Sequence, residues 1–264
     1  MNALPAWLAS GRGGVPLVML HGMGSTASIW LPQLEHFGRA RLTVAWTMPG
    51  YGPEPEPASP PSWAGLAASL RAMLDALEIG RAHILGHSIG GMIAQEFYHR
   101  HPQRVQSLIL SATSSAFGGT DAAWKEAFLR QRTDAMQPYE RFADAAPTLL
   151  DGFMSPATPS ALRALAELSA SGIDKQRYLD AMRLLVTFDR RADFQRIDVP
   201  VLLLAGEHDT QAPPKGMQRL AQSCANARFQ ELPALRHMAN IESPGTFNQA
   251  VDAFLAAQHQ VTQS

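Results

Sequence analysis

Ala82-His83-Ile84-Leu85-Gly86-His87-Ser88-Ile89-Gly90-Gly91 carries the reading of this chain. Its first four residues make a short apolar strand. A helix follows from about Ile89 through Met92, Ile93, Gln95, Phe97 and Tyr98. A G-x-S-x-G pentapeptide alone says little. Between a buried strand and a helix it describes a sharp turn with Ser88 at its apex, which only small neighbours such as Gly86 and Gly90 permit. Such a turn lifts the hydroxyl above a sheet, and the new helix aims its N-terminal amides at the space beside it. Ser88 is therefore a candidate nucleophile.

Around that unit, apolar runs of strand length alternate with amphipathic helical runs, as in a mostly parallel, doubly wound α/β sheet covered on both faces. Val15–Leu20, Leu42–Trp46, Val105–Leu110, Val201–Ala205 and Phe229–Leu232 read as further strands. Helices are expected from about Ser28, from Ser62 as N-cap to Gly80 as stop, and over Pro244–Ala256. Glu54-Pro55-Glu56-Pro57 cannot be helix interior and reads as a surface loop. Between Ser111 and Pro200 the strand signals vanish and helical stripes replace them, one starting at Thr158-Pro159 as N-cap and first helical residue and stopping at Gly172. The division expected is a core of residues 1–112 and 197–264, with a helical cap inserted over 113–196.

Composition narrows the classes of function. Hydrophobic residues are 46% of the 264, enough for a sizeable core, and the net charge of −1 points to neither nucleic acid nor an anionic membrane surface. Cys224 is the single cysteine, so no internal disulfide can form. Met1–Gly14 lacks the basic and apolar regions of a signal peptide, and no apolar run approaches the ~20 residues that span a bilayer. The expectation is a soluble, cytoplasmic protein; homodimerisation is left open.

A serine nucleophile needs a base, and the base an orienting acid. Asp209 follows the strand Val201–Ala205, and His237 follows the last strand and precedes the last helix. Both, with Ser88, belong to the carboxyl-end rim of the sheet, where ligand crevices lie. Other residues compete for the roles. His208 adjoins Asp209, and Asp121, after the preceding strand, is a second candidate acid. His87 is taken as packing; His36, His99, His101 and His259 lie away from the rim. An oxyanion needs preorganised donors. The amide of Ile89 supplies one, and the loop His21-Gly22-Met23-Gly24 after the first strand supplies another through Met23.

These segments, with Pro49-Gly50-Tyr51-Gly52 and Gly206-Glu207-His208-Asp209, resemble the α/β-hydrolase fold superfamily from about Val15 to Leu255. The resemblance implies Ser88 as nucleophile, His237 as base, Asp209 as its orienter, and the Met23 and Ile89 amides as oxyanion hole. It also implies that residues 113–196 cap the pocket. Two positions depart from the pattern: Thr47 and Pro53 stand where many relatives carry aspartate and serine around the Pro-Gly-x-Gly turn. Neither position is catalytic in the family.

The chemistry so implied is acyl transfer to water on a small carboxylic ester or lactone, with no cofactor and no metal. Small carboxylesterases, including those acting on pimeloyl esters, and enol-lactonases share the layout. So do hydrolases of carbon–carbon bonds in ring-fission products, and a hydrolase-fold small-molecule receptor is the reading from another class. Candidate substrate contacts are His21, Gly22, Trp124, Phe128, Phe142 and Met238. Phe153, Met154, Met182 and Phe188 join the aromatic and methionine stripes of the cap, most of which are expected to be its own packing. Arg130, Arg132, Arg190 and Arg191 are candidates for holding a substrate carboxylate, weighed against solvated helix faces.

Overall fold

The computed structural model describes residues 4–53, 59–118 and 121–261. The Glu54–Pro57 loop expectation lies outside the described residues. Seven strands form one sheet: β1 Trp7–Ser10, β2 Leu17–Leu20, β3 Thr43–Trp46, β4 Ala82–His87, β5 Val105–Ser111, β6 Val201–Gly206 and β7 Ala227–Leu232. Their spatial order is β1-β3-β2-β4-β5-β6-β7. β1 pairs antiparallel with β3, and every other pairing is parallel. The six parallel strands thus end at one rim.

The strand sequences explain this arrangement. β2, β3, β4 and β6 are buried at every residue, as continuous apolar runs require when both faces are covered. The period-2 alternation splits each strand between two cores. Val18 and Leu20 of β2 join one cluster with Ile84, Leu108 and Leu203, while Leu17 and Met19 join the other with Leu85, Ile109, Leu202 and Leu204. β1 was not legible in the sequence because it is an edge strand with two exposed residues in its four.

Helices α1 Leu31–Phe37, α2 Trp63–Ala76 and α3 Ile89–Arg100 cover the first half of the sheet. Ser62 caps α2 by accepting the Gly65 amide at 3.1 Å, a contact worth about 1 kcal/mol. α2 ends at Ala76, four residues before the expected Gly80, and Glu78 takes the left-handed conformation at φ 55°. Five helices separate β5 from β6: α4 Ala122–Met136, α5 Phe142–Phe153, α6 Ser160–Ala170, α7 Lys175–Leu185 and α8 Arg191–Phe194. The N-cap of α6 is Pro159 rather than Thr158, since the Pro159 carbonyl accepts the amides of Leu162 and Arg163. α9 Pro214–Gln222, α10 Ala239–Glu242 and α11 Pro244–Val261 complete the chain, and no helix among the described residues is long and apolar enough to cross a membrane.

The excursion between β5 and β6 leaves and returns through one narrow neck. Phe117 N donates to Phe188 O at 3.0 Å and Arg190 N to Ser115 O at 2.7 Å, flanking a bridge between Ala116 and Asp189. The neck is anchored on α3. Arg190 reaches the buried carboxylate of Glu96 at 2.6 Å, and Arg100 reaches its other oxygen at 2.5 Å.

Candidate active site

Ser88 stands between β4 and α3 at φ 54°, ψ −121°, a conformation that costs about 1–3 kcal/mol and persists only where its surroundings enforce it. Here the close approach of neighbouring backbone does so. A Cβ on Gly86 would lie 2.3 Å from the Gly90 carbonyl oxygen, and one on Gly90 would lie 2.3 Å from that of Leu20. The Ser88 amide donates to Ser111 O at 2.9 Å, and Thr113 Oγ1 donates to Ser88 O at 2.7 Å. Although Ser88 holds the N-cap position of α3, its side chain caps nothing. Ser88 lines a cavity of about 800 Å³ together with Gly22, Met23, His237 and Met238. A pocket of this size accommodates a small-molecule ligand.

His237 and Asp209 meet at this rim because the loops after β6 and β7 are bonded together. His208 N donates to Leu235 O at 2.8 Å, and a Cβ on Gly206 would strike the Arg236 carbonyl oxygen at 2.2 Å. His237 Nδ1 lies 2.9 Å from Asp209 Oδ2. The other carboxylate oxygen, Oδ1, accepts the amides of Gln211 and Ala212 at 2.7 and 3.0 Å. Burial alone would raise the Asp209 carboxyl, but the His237 contact and those two amides outweigh it and hold the group below its ordinary value. With Nδ1–H donating to this carboxylate, Nε2 of a neutral His237 is left as an acceptor.

His237 is held on two further sides. Its amide donates to Phe153 O at the end of α5, and the Phe153 ring lies 5.5 Å from its own. On another side the His87 ring lies 4.9 Å away. His87 lines the cavity, so it is more than the packing residue the sequence suggested. Burial first, then the neighbouring His237, push its pKa down to about 3, leaving a neutral ring.

The remaining sequence candidates separate cleanly. Gly22 lies against the serine: a Cβ there would be 3.5 Å from Ser88 Cβ and 2.8 Å from His87 Cδ2. Met23 follows it in the cavity wall, and Ile89 buries its side chain in the core at the start of α3. His21 does not line the cavity. It is buried behind it, with Nδ1 2.7 Å from Gly22 O and Nε2 accepting the Met48 amide at 2.9 Å, so it ties the loop after β2 to that after β3. The corresponding loss of solvation lowers its pKa to about 4. Asp121 is exposed and caps α4 by accepting the Trp124 amide, and His208 is exposed off the cavity. Trp124, Phe128 and Phe142, the candidate substrate contacts of the inserted segment, line the cavity; so do Phe153 and Met182, of a stripe most of which was expected to be internal packing, whereas Met154 and Phe188 do not.

Two features escaped the sequence reading. The loop Thr210–Pro213 and the α9 residues Met217 and Leu220 form a wall of the cavity, a placement that the strand-end rule points to but does not detail. Glu242 is buried in α10 and accepts the amides of Arg236 and Ser155 at 3.1 and 3.0 Å, joining the His237 loop to the end of α5.

A family model described as alpha/beta hydrolase fold matches residues 15–244. The chain is similar, at 32% identity over 95% of its length and 96% of the relative's, to a pimeloyl-[acyl-carrier protein] methyl ester esterase of Chromobacterium violaceum. It is 27% identical to 3-oxoadipate enol-lactonase 2 of Acinetobacter baylyi, over 90% of this chain and 88% of that one. Among solved structures, a hydrolase from Pseudomonas aeruginosa PA01 superposes with a TM-score of 0.81 at 30% identity, covering 94% of this chain and 93% of that one. With the sheet order, the strained serine and the match over residues 15–244 in hand, the chain belongs to the α/β-hydrolase fold family.

Proposed function

We propose that this protein is a serine hydrolase that cleaves a small carboxylic ester or lactone through an acyl-enzyme. The observation that carries the reading is the uncommitted Ser88 hydroxyl, held on a strained turn in the same cavity wall as a His237 whose Nδ1 is engaged by Asp209. Ser88 Oγ attacks the carbonyl carbon as His237 Nε2 takes its proton. The resulting imidazolium is stabilised by Asp209 and then delivers the proton to the leaving oxygen. Water, activated by the same Nε2, opens the acyl-enzyme. The oxyanion is met by the amides of Met23 and Ile89, the latter at the N-terminus of α3 where helix amides have no intrahelical acceptor.

Residues 113–196 serve as the cap, joined to the core at the Ser115–Phe117 and Phe188–Arg190 neck. The two named relatives lend support to the substrate class, since a methyl ester and an enol-lactone both present a carbonyl carbon with an oxygen leaving group.

The test is hydrolysis of para-nitrophenyl esters of graded chain length by the wild type and Ser88→Ala. Release by the wild type should exceed that by the variant by on the order of 10⁴-fold, with little change in thermal stability. Equal rates, or a variant that unfolds, would assign Ser88 a structural role instead.

A further inference from the structure

We infer that the cavity is built for a substrate bearing a carboxylate remote from the scissile carbonyl, and that Arg132 receives it; the inference rests on the reading of Ser88 given above. Among the described residues the cavity wall holds three arginines and no aspartate or glutamate. Two of the three are otherwise accounted for. Arg191 is paired with Asp189 at 2.5 Å, and Arg219 is exposed on α9, where solvent screens its charge. Arg132 is half-buried, has no carboxylate partner among the described residues, and buries an Nε–H that meets no acceptor. A buried donor without a partner is costly unless a ligand satisfies it.

The arginines grouped together by sequence thus part company. Arg190 is consumed by Glu96 and Asp193, and Arg130 is exposed off the cavity.

Placement supports the same assignment. Trp124, Phe128 and Arg132 stand at i, i+4 and i+8 on one face of α4, and all three line the cavity. The Arg132 guanidinium carbon lies 5.3 Å above the Phe128 ring, so its plane is steadied by an aromatic face. A continuous wall leads from it to the serine. Tyr178 lines the same cavity as Arg132 and stacks on Phe142 at 4.4 Å, and a Cβ on Gly24, the residue after Met23, would lie 2.8 Å from Phe142 Cζ. The two ends of the cavity therefore differ in chemistry: a reacting end at Ser88 and a cationic end at Arg132, separated by apolar side chains. One planar guanidinium offers a bidentate match to a carboxylate, while the apolar walls hold the methylenes between.

The experiment compares kcat/KM for monomethyl adipate with that for dimethyl adipate, in the wild type, Arg132→Gln, Arg132→Lys and, as an off-cavity control, Arg130→Gln. Calorimetric binding of adipate against neutral adipamide is measured in parallel and needs no turnover. The wild type should favour the half-ester by about 10- to 100-fold and bind adipate more tightly than adipamide by a similar factor. Arg132→Gln should abolish both preferences, Arg132→Lys should retain part of them, and Arg130→Gln should retain them fully. No preference for the anion in the wild type, or one that survives in Arg132→Gln, overturns the inference. Ser88-dependent cleavage of dimethyl adipate without any preference would overturn it while leaving the hydrolase reading standing. Selective adipate binding through Arg132 with no hydrolysis of either ester would support the subsite and count against that reading.

Discussion

The imidazole rings of His87 and His237 lie 4.9 Å apart at 56°, two histidines in contact within one cavity wall. If both could take a proton, the site would gain two adjacent positive charges in acid. Burial prevents it, since His87 is held to about pKa 3 and His21, behind the loop after β2, to about 4. The acid limb of kcat/KM on a neutral ester should therefore carry no step from His87 above about pH 4, and His87→Phe should leave the shape of that limb unchanged there. A limb that loses one proton's dependence in His87→Phe would show His87 titrating in the working range.

The same burial fixes the sign of the acid response of stability. Each of these two histidines has a folded pKa below its unfolded value of 6.5, so below that pH the unfolded chain takes up protons that the folded chain refuses. Their contribution is complete above 6.5 and is lost as pH falls toward about 4 for His21 and about 3 for His87, at about 1.4 kcal/mol per pH unit for each. Asp209, depressed by its partners, loses stabilisation in the same direction; Glu242, raised first of all by burial, acts oppositely and loses it as pH rises. Urea unfolding from pH 7 to 4.5 should show a steady fall in stability, and His87→Phe should flatten it by about one proton. An identical fall in the variant would refute the buried neutral state.

The sequence made the sheet and its rim legible because a doubly covered parallel strand has to be apolar throughout, and because Gly86 and Gly90 are required by backbone contacts that no larger residue tolerates. What it left obscure depends on the tertiary course of the chain. β1 announces itself poorly since half of it faces solvent. His87 sits next to a reactive turn in any reading, but its contact with His237 depends on the loop after β7, 150 residues away. The four candidate arginines between β5 and β6 look alike along the chain; only the presence of Glu96 on α3 and the cavity under α4 tells Arg190 from Arg132.

Asp209 and Asp121 offer a direct contrast. Asp209→Asn retains an oxygen for the amides of Gln211 and Ala212 but turns an NH₂ toward Nδ1, which favours the tautomer with the proton on Nε2. Turnover of para-nitrophenyl esters should fall by on the order of 10³- to 10⁴-fold with little loss of stability. Asp121→Asn, at an exposed helix cap where asparagine serves nearly as well, should leave turnover within about twofold. The reverse order of effects would reassign the acid.

Glu96 is buried in α3 between Arg100 and Arg190, and through Arg190 it holds the neck of the inserted segment to the core. Arg190→Leu removes one cation from a carboxylate that has almost no solvent access. A loss of about 3–5 kcal/mol is expected, reduced by whatever charge Arg100 still neutralises. Thermal unfolding should reveal it as a lower midpoint, and Glu96→Gln with Arg190→Leu should lose less than the sum of the single changes. Strict additivity would mean that the ion pair does not couple the two segments.

Glu242 supports the site from behind, its carboxylate accepting the Arg236 amide next to His237 and the Ser155 amide beyond α5. Glu242→Ala leaves both half-buried donors without their acceptor, so a stability loss of about 1–3 kcal/mol is expected. Because His237 is the next residue and its own amide bonds to Phe153, slackening this junction also displaces the imidazole. kcat should fall about 10- to 100-fold at a temperature where the variant is still folded. Glu242→Gln keeps one acceptor oxygen and should recover most of both losses. A variant Glu242→Ala with full kcat below its melting transition would restrict Glu242 to stability alone.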